Sequence, residues 1–334
     1  MNRDRLSLRR VAFAVSITLT AAACSGSSSS GSSTASPSTP HPSGSALIDL
    51  SRLEGRIAFS AGPPHGEDVY VVEADGSDLV RVTSDRVSEF DPSWSPKGDQ
   101  VAYRHQPGDD DTTEIYVVDA DGTGAHDVSG NDDRADWGPA WSPQGDWIAW
   151  NTAQEATVGF DLGLVRPDGS GLHLAKPGIH VEYPAWSPDG RRIAFMSQVA
   201  DEGLQYDVFV MNADGSHIRR LTTSPATDGF PSWSPDGMEI AFSSTRDDCT
   251  VSSSPQCLTT GDIGPFHTLY LMNPDGSDQH RVSRQFVQTM DWSPDGRYLV
   301  FGSRTGLTVL STDGSSSATI PLDVGSANFP DWTG

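Results

Sequence analysis

Residues 186–195 read Trp-Ser-Pro-Asp-Gly-Arg-Arg-Ile-Ala-Phe, and residues 207–216 read Asp-Val-Phe-Val-Met-Asn-Ala-Asp-Gly-Ser. Each stretch combines a Gly-containing turn with a short apolar run. Runs of this length that are rich in Ile, Val and Phe fit strands better than helices. Asp-Gly between two apolar runs is a strong hairpin signal, because Gly tolerates positive φ. The two stretches therefore predict antiparallel strands joined by tight turns.

The same unit recurs along the chain about every 40–60 residues. Six Asp-Gly pairs mark it, and six tryptophans mark it independently: Trp94, Trp141, Trp186, Trp233, Trp292 and Trp332. Each unit reads as four short strands that cannot bury both faces alone. Such repeats are typical of a β-propeller, whereas a β-sandwich would not need the motif six times. We therefore predict an all-β, six-bladed propeller with four-stranded antiparallel blades.

The two ends of the repeat region complement each other. The first unit begins at Gly55 without a Trp-containing strand, and the chain finishes with such a strand at residues 329–334. The C-terminal strand is therefore predicted to complete the first blade and to close the ring by non-covalent pairing.

The motifs in residues 186–195 and 207–216 resemble the TolB-type propeller repeat, and the resemblance covers residues 50–334. It implies a six-bladed propeller and leaves function open. Similar repeats occur in TolB, in the propellers of tricorn-like and prolyl-oligopeptidase-like peptidases, and in many bacterial lipoproteins. TolB also has an N-terminal α/β domain, for which the N-terminal region here leaves no room, so the resemblance does not imply membership of the Tol-Pal assembly.

The first 23 residues have the pattern of an export signal, with four arginines before a short apolar stretch. Ala21-Ala22-Ala23-Cys24 resembles the lipobox of bacterial lipoproteins, which implies a lipidated N-terminal Cys24; a plain secretory signal is the alternative. Arg9-Arg10 leaves twin-arginine export open beside the general route. Residues 24–46 are nearly all Ser, Gly, Thr and Pro, which predicts a flexible tether. The expected location is the cell envelope, with membrane contact only through the lipid.

Charge excludes one class of partner. The chain has 22 Lys and Arg against 45 Asp and Glu, a formal net charge of −23. A nucleic-acid binder needs a basic patch, so no nucleic-acid partner is expected. A monomer that binds an envelope protein, a peptide or a glycan is the predicted state.

Acidic, amide and aromatic residues precede the Trp strands, on the face that carries the loops of variable length. If they surround the axial opening, like charges converge there and favour a cation or a basic partner. The alternative is that the acids solvate strand ends and the aromatics pack between blades. The candidate binding mouth comprises Glu89, Asp91, Asp136, Trp137, Glu182, Tyr183, Asp228, Phe230, Gln288 and Asn328.

No cofactor and no metal ligand set is predicted. A calcium loop at residues 109–111 is a weaker alternative, because three consecutive acids lack the spaced-ligand pattern. Cys249 and Cys257 lie in one Ser-rich insertion, and an even pair in an exported chain predicts a local disulfide.

Signatures of catalysis are absent: there is no Gly-x-Ser-x-Gly elbow, zinc-protease helix or phosphate loop. The repeated Trp, Pro and Asp-Gly positions are predicted to be structural, because a catalytic residue is normally unique. We therefore predict a non-catalytic binding or scaffold module. The alternatives are a single-domain lyase or hydrolase acting in the axial pocket, and a purely structural spacer.

Overall fold

The computed structural model describes residues 46–85, 87–108, 112–130, 134–154, 160–175, 177–199, 205–246 and 268–334. Their apolar runs form strands of two to eight residues, and the only helical element among them is a 3-10 turn at Leu50–Arg52. None of the described residues forms a helix long and apolar enough to cross a membrane. The predicted signal at residues 1–23, Cys24, Cys249 and Cys257 lie outside these ranges.

The strands form six antiparallel sheets, which we number as blades 1 to 6. From its first strand to its fourth, blade 1 consists of β25 (Ala327–Thr333), β2 (Arg56–Ala61), β3 (Asp68–Glu73) and β4 (Val80–Arg81). Blade 2 consists of β5 (Ser88–Trp94), β6 (Gln100–Gln106), β7 (Glu114–Asp119) and β8 (His126–Asp127). Blade 3 consists of β9 (Arg134–Trp141), β10 (Ile148–Gln154), β11 (Asp161–Val165) and β12 (His173–Ala175).

Blades 4 to 6 follow the same order. Blade 4 consists of β13 (Glu182–Trp186), β14 (Arg192–Gln198), β15 (Tyr206–Asn212) and β16 (Arg219–Arg220). Blade 5 consists of β17 (Asp228–Trp233), β18 (Ile240–Ser244), β19 (Thr268–Met272) and β20 (His280–Ser283). Blade 6 consists of β21 (Met290–Trp292), β22 (Tyr298–Ser303), β23 (Gly306–Ser311) and β24 (Ser316–Pro321). The predicted six-bladed, four-stranded architecture is confirmed. Blade 6 has one extra strand, because β1 (Ala46–Leu47) pairs in parallel with β24.

The C-terminal strand closes the ring as predicted. β25 pairs antiparallel with β2, so that Ile57 lies opposite Trp332 and Arg56 opposite Thr333. The indole N–H of Trp332 also donates to the Glu54 carbonyl at 2.9 Å. Blade 1 is therefore built from both ends of the propeller, without a covalent link.

The apolar core lies between neighbouring blades. Six interblade clusters each combine side chains of two adjacent blades, and each contains or contacts one of the six repeated tryptophans. Trp94, for example, packs with Ala58 and Val71 of blade 1 and with Val101 of blade 2. The recurring Trp thus fills the gap between two sheets, which explains why every blade needs one.

Candidate functional site

The first strands of the six blades line the propeller axis. Each contacts the first strand of the blade before it and of the blade after it, in a closed circle. Pairing with the second strand shifts register in blades 1 to 5, which marks a bulge. A bulge re-aims side chains. The residue three positions before each Trp has a positive φ there, and these residues are Asp91, Gly138, Tyr183, Phe230 and Phe329.

Three of these residues meet and form what we call the axial aromatic cluster: Tyr183, Phe230 and Phe329. The ring centroids of Tyr183 and Phe230 are 4.5 Å apart, and those of Tyr183 and Phe329 are stacked at 6.2 Å. Tyr183 belongs to blade 4 and Phe329 to blade 1, which are three blades apart in the ring. The stacked pair therefore crosses the axis, and no substrate fits between rings at this spacing.

Asp91 and Arg104 lie beside this cluster. The Arg104 guanidinium is 3.4 Å from Asp91 Oδ2 and lies over the Phe90 ring at 4.3 Å. A Cβ on Gly138 would come within 3.0 Å of the Tyr183 ring, so only glycine allows this ring to lie against blade 3. Burial raises the pKa of Asp91, whereas the Arg104 charge opposes the increase. The axis thus combines aromatic rings with one buried ion pair.

Four residues of the candidate mouth are half-buried side chains that solvent or a partner can reach: Trp137, Tyr183, Gln288 and Asn328. The Trp137 ring packs edge-on against Phe160 at 5.3 Å, and Phe160 packs edge-on against His180 at 5.9 Å. Each of blades 1 to 4 therefore has one partly exposed aromatic side chain on its first strand. In blade order these are Phe329, Phe90, Trp137 and Tyr183.

The acidic and amide residues of the candidate mouth other than Asp91 do not form one ring. Glu89, Asp136 and Asp228 are five residues before their Trp, whereas Glu182, Gln288 and Asn328 are four residues before theirs. Successive strand side chains point to opposite faces. Glu89, Asp136 and Asp228 are fully buried, Glu182 is 6% exposed, and both amides are half-buried.

Asp228 lies between blades 4 and 5 rather than at an opening. Its Oδ2 is 2.7 Å from Arg246, and its Oδ1 accepts from the Ser244 hydroxyl. Asp207, at the start of β15, is its neighbour and pairs with Arg220. Burial raises the pKa of Asp207 to about 7 and also raises the pKa of Asp228. Each ion pair lies within one blade, since Asp207 pairs with Arg220 in blade 4 and Asp228 pairs with Arg246 in blade 5.

Glu182 has a different environment. Burial raises its pKa to about 7, and a hydrogen bond with the Tyr206 phenol opposes the increase. Tyr206, Met196 and Phe230 form one apolar cluster, against which Tyr183 and Phe329 pack. Glu182 is thus a carboxyl group that changes its charge near neutral pH beside the axial aromatic cluster.

Sequence reasoning missed two arrangements. The first is a pair of buried carboxyl groups, Asp291 and Asp331, each directly before the repeated Trp of its strand. The Ser232 hydroxyl donates to Asp291. Burial, together with the Asp291 charge, raises the pKa of Asp331 well above its usual value. The second is a cluster of Asp85, Glu89 and His105. Each residue offers one atom that could bind a metal ion, and the three atoms lie within 4.8 Å of one another. Only the register between strands brings these residues together, so no linear motif reveals them.

Two clefts of 490 and 330 Å³ lie on the face of the propeller opposite the loop face that carries the candidate mouth. The larger is lined by Gly145–Trp147 and Arg166–Asp168, and the smaller by turns of blades 5 and 6. Trp147 lies under the Arg166 guanidinium at 5.0 Å. Both clefts are built from the repeated Gly-containing turns. The loop residues at 109–111, Glu155, Asp201 and Glu202 lie outside the described residues.

One protein-family model matches the chain, the TolB beta propeller domain, over residues 52–202 and 169–261. No curated protein sequence matches it significantly. Together the two matched segments span more than half of the chain.

Many solved structures share the fold. TolB from Acinetobacter baumannii is 20% identical, with a TM-score of 0.67, over 86% of this chain and 67% of that one. A chain of the nidogen/laminin complex is 11% identical, with a TM-score of 0.62, over 83% of this chain and 98% of that one. Oligogalacturonate lyase in complex with manganese is 14% identical, with a TM-score of 0.53, over 82% and 77%. Identities this low establish the shared fold alone.

Proposed function

The chain belongs to the TolB beta propeller domain family, and we propose that it is a non-catalytic binding module of the cell envelope. It recognises a positively charged segment of an envelope protein or peptide on the loop face of the propeller. Lipid on Cys24 and a tether at residues 24–46 hold the module at the membrane. An envelope glycan is the other ligand class that this face would suit.

The observation that carries the proposal is the set of half-buried aromatic side chains from four blades around the axis. Trp137, Tyr183 and Phe329 expose part of their rings beside the buried carboxyl groups of Asp91 and Glu182. Aromatic faces attract ammonium and guanidinium groups, and aromatic anchors dominate binding surfaces. The net charge of −23 favours the same partner, since it speeds the encounter with a basic protein.

The axial aromatic cluster favours binding over turnover. Tyr183 and Phe329 stack at 6.2 Å across the axis, where a propeller enzyme would hold its substrate. Two mouth acids with raised pKa values are also far apart: Glu89 contacts His105 in blade 2, and Asp228 contacts Arg246 in blade 5. A general acid and base must reach one reacting group, and these two acids do not share one.

One observation favours a second candidate function, a lyase. Glu182, with a pKa of about 7 beside Tyr206, is suited to proton transfer at neutral pH. Oligogalacturonate lyase shares the fold. Incubation with uronate-containing oligosaccharides tests this candidate. Turnover that Glu182→Gln abolishes would establish the lyase, and no turnover in either protein would leave the binding module.

Affinity capture from solubilised envelope tests the binding function. The variant Tyr183→Asn/Phe329→Asn removes two rings, and Asn tolerates the positive φ at both positions. The matched control is Trp147→Ala, which removes a half-buried aromatic ring from the opposite face. We expect a basic partner to be captured by the wild type and the control and at least tenfold less by the double variant. Equal capture by all three proteins would overturn this site, and capture of nothing by the wild type would favour a structural spacer.

A further inference from the structure

Glu89 and His105 face each other across the first two strands of blade 2. They are direct register partners in the β5–β6 pair, and Glu89 Oε1 is 3.5 Å from His105 Nδ1. Beyond this contact with each other, neither atom has a hydrogen-bond partner among the residues that the structure describes, although Glu89 is fully buried. Leaving a buried carboxylate oxygen unsatisfied is costly. A cation that binds both atoms would satisfy them.

Asp85 completes the cluster from the segment that links blade 1 to blade 2. Its Oδ2 is 4.0 Å from His105 Nδ1, while its Oδ1 accepts from the Val87 backbone N–H at 3.1 Å. Glu89 is oriented in the same way, because its Oε2 accepts from the Thr83 hydroxyl at 3.0 Å. Each carboxylate thus has one oxygen held by a hydrogen bond and the other turned towards the imidazole.

Blade 5 shows one way in which a carboxylate at this position is neutralised. Asp228 corresponds to Glu89, since both are five residues before the repeated Trp. There the Arg246 guanidinium supplies the positive charge at 2.7 Å. Among the described residues of blade 2 no arginine pairs with Glu89, and Arg81 of blade 1 acts on it only at a distance while pairing with Asp68. Blade 2 offers an imidazole and a second carboxylate instead.

We infer that Asp85, Glu89 and His105 bind one divalent first-row transition-metal ion of the Zn²⁺ class. Zinc–ligand bonds of about 2.0–2.2 Å at tetrahedral angles separate two ligand atoms by roughly 3.4 Å. The separations of 3.5 and 4.0 Å need only small movements of side chains. An imidazole nitrogen with two carboxylates favours such ions over Mg²⁺ and Ca²⁺, which prefer oxygen ligands throughout.

Flanking residues hold the imidazole in place. The Tyr116 ring packs on His105 at 4.4 Å and the Tyr103 ring lies edge-on at 6.5 Å, so the ring plane is fixed. Three protein ligands leave one tetrahedral position open. Asp85 is exposed, so water or a partner side chain reaches that position. The ion would pin the interblade segment to β6 and present a coordination site at the loop face.

Zinc binding by the metal-stripped full chain tests the site, with ZnCl₂, CaCl₂ and MgCl₂ as the probes. We expect one Zn²⁺ per chain, at least tenfold weaker binding in Asp85→Asn and in His105→Gln, and unchanged binding in Asp78→Asn. Asp85 is exposed, so its variant keeps the fold even where Glu89→Gln does not. Asp78 is a matched exposed carboxylate of blade 1 whose positive φ suits Asn.

Thermal unfolding gives a second measurement. Excess ZnCl₂ should raise the Tm of the wild type and of Asp78→Asn but not that of His105→Gln, because an ion that binds only the folded chain stabilises it. Absence of stoichiometric zinc in the wild type would overturn the site. So would a zinc affinity in Asp85→Asn and His105→Gln that equals the affinity of the wild type. Equal affinity for Ca²⁺ would overturn the assignment to a transition metal.

Discussion

The backbone N–H of Trp94 donates a hydrogen bond of 2.9 Å to Oδ2 of Asp331, a residue 237 positions further along the chain. The Trp332 N–H donates in the same way to Asp291 Oδ2 at 2.8 Å, and the Trp141 N–H donates to Ser93 Oγ at 3.2 Å. In each case the acceptor is the residue just before the repeated Trp of the preceding blade. This position therefore joins the first strands around the axis.

Replacing Asp331 by Asn should stabilise the fold at alkaline pH. Burial and the Asp291 charge raise the pKa of Asp331, so the folded state retains a proton that the unfolded state loses near pH 4. Wild-type stability therefore falls as the pH rises above about 4, until the raised pKa is passed. The Asn amide can still accept from Trp94. We expect Tm at pH 8 to increase by roughly 2–4 °C, which corresponds to about 1 kcal/mol.

Scanning calorimetry at pH 4.5 and pH 8 measures this difference. Asp146→Asn is the control, because it removes one carboxylate from an exposed turn. A Tm that falls equally at both pH values in Asp331→Asn would show that the carboxylate is needed in its charged form.

Replacing Arg246 by Met should destabilise blade 5. Asp228 would be left buried without its guanidinium partner, which costs about 3–5 kcal/mol in such pairs. The double variant Arg246→Met/Asp228→Asn should recover a large part of the loss. Urea unfolding at pH 7.5 gives the free energies. Arg297→Met is the control, since its pair with Asp295 is exposed and should contribute little; an equal loss in both arginine variants would refute the prediction.

Removing residues 328–334 should abolish cooperative unfolding. These residues supply most of β25, the Trp332 ring in the cluster between blades 6 and 1, and the bond to Glu54. The comparison is a chain that begins at residue 48, which lacks the N-terminal 47 residues and, of the described strands, only the two-residue β1 with its exposed Leu47. Thermal unfolding and limited proteolysis should show that the chain beginning at residue 48 is native-like, whereas the chain without residues 328–334 is not. A sharp transition in the first would mean that blade 1 is stable without its innermost strand.

Gly163→Ala should be costly although its backbone is ordinary for a strand. A Cβ there would lie 2.3 Å from the fully buried ring of Trp150, its register partner in β10. Overpacking of this kind typically costs 1–3 kcal/mol. Gly66→Ala is the matched control, because its Cβ would meet nothing closer than 3.6 Å. Similar midpoints in urea for both variants would contradict the expected crowding.

The fold could be predicted from the sequence because each blade repeats the same turn and the same Trp. Asp-Gly pairs fix the hairpins, and the absent first strand near Gly55 together with the Trp332 strand fixes the closure. Those features are local or can be counted, so they need no knowledge of contacts.

The candidate site could be predicted only in part, because strand register and bulges decide it. Glu182 is one residue nearer its Trp than Glu89, and that single residue sends its side chain to the opposite face. The bulges then turn Tyr183 and Phe329 towards the axis. The proximity of His105 to Glu89 depends on pairing between β5 and β6, which no spacing rule revealed.

Closure by β25 also determines when the molecule can fold. Ile57 finds its partner Trp332 only after 275 further residues have been synthesised. Until then β2 has an unpaired inner edge, which is a template for aggregation. Contacts of such sequence separation also make folding slow. Blade 1 therefore cannot be completed before the final strand is available, and we expect the chain to need protection from self-association until then.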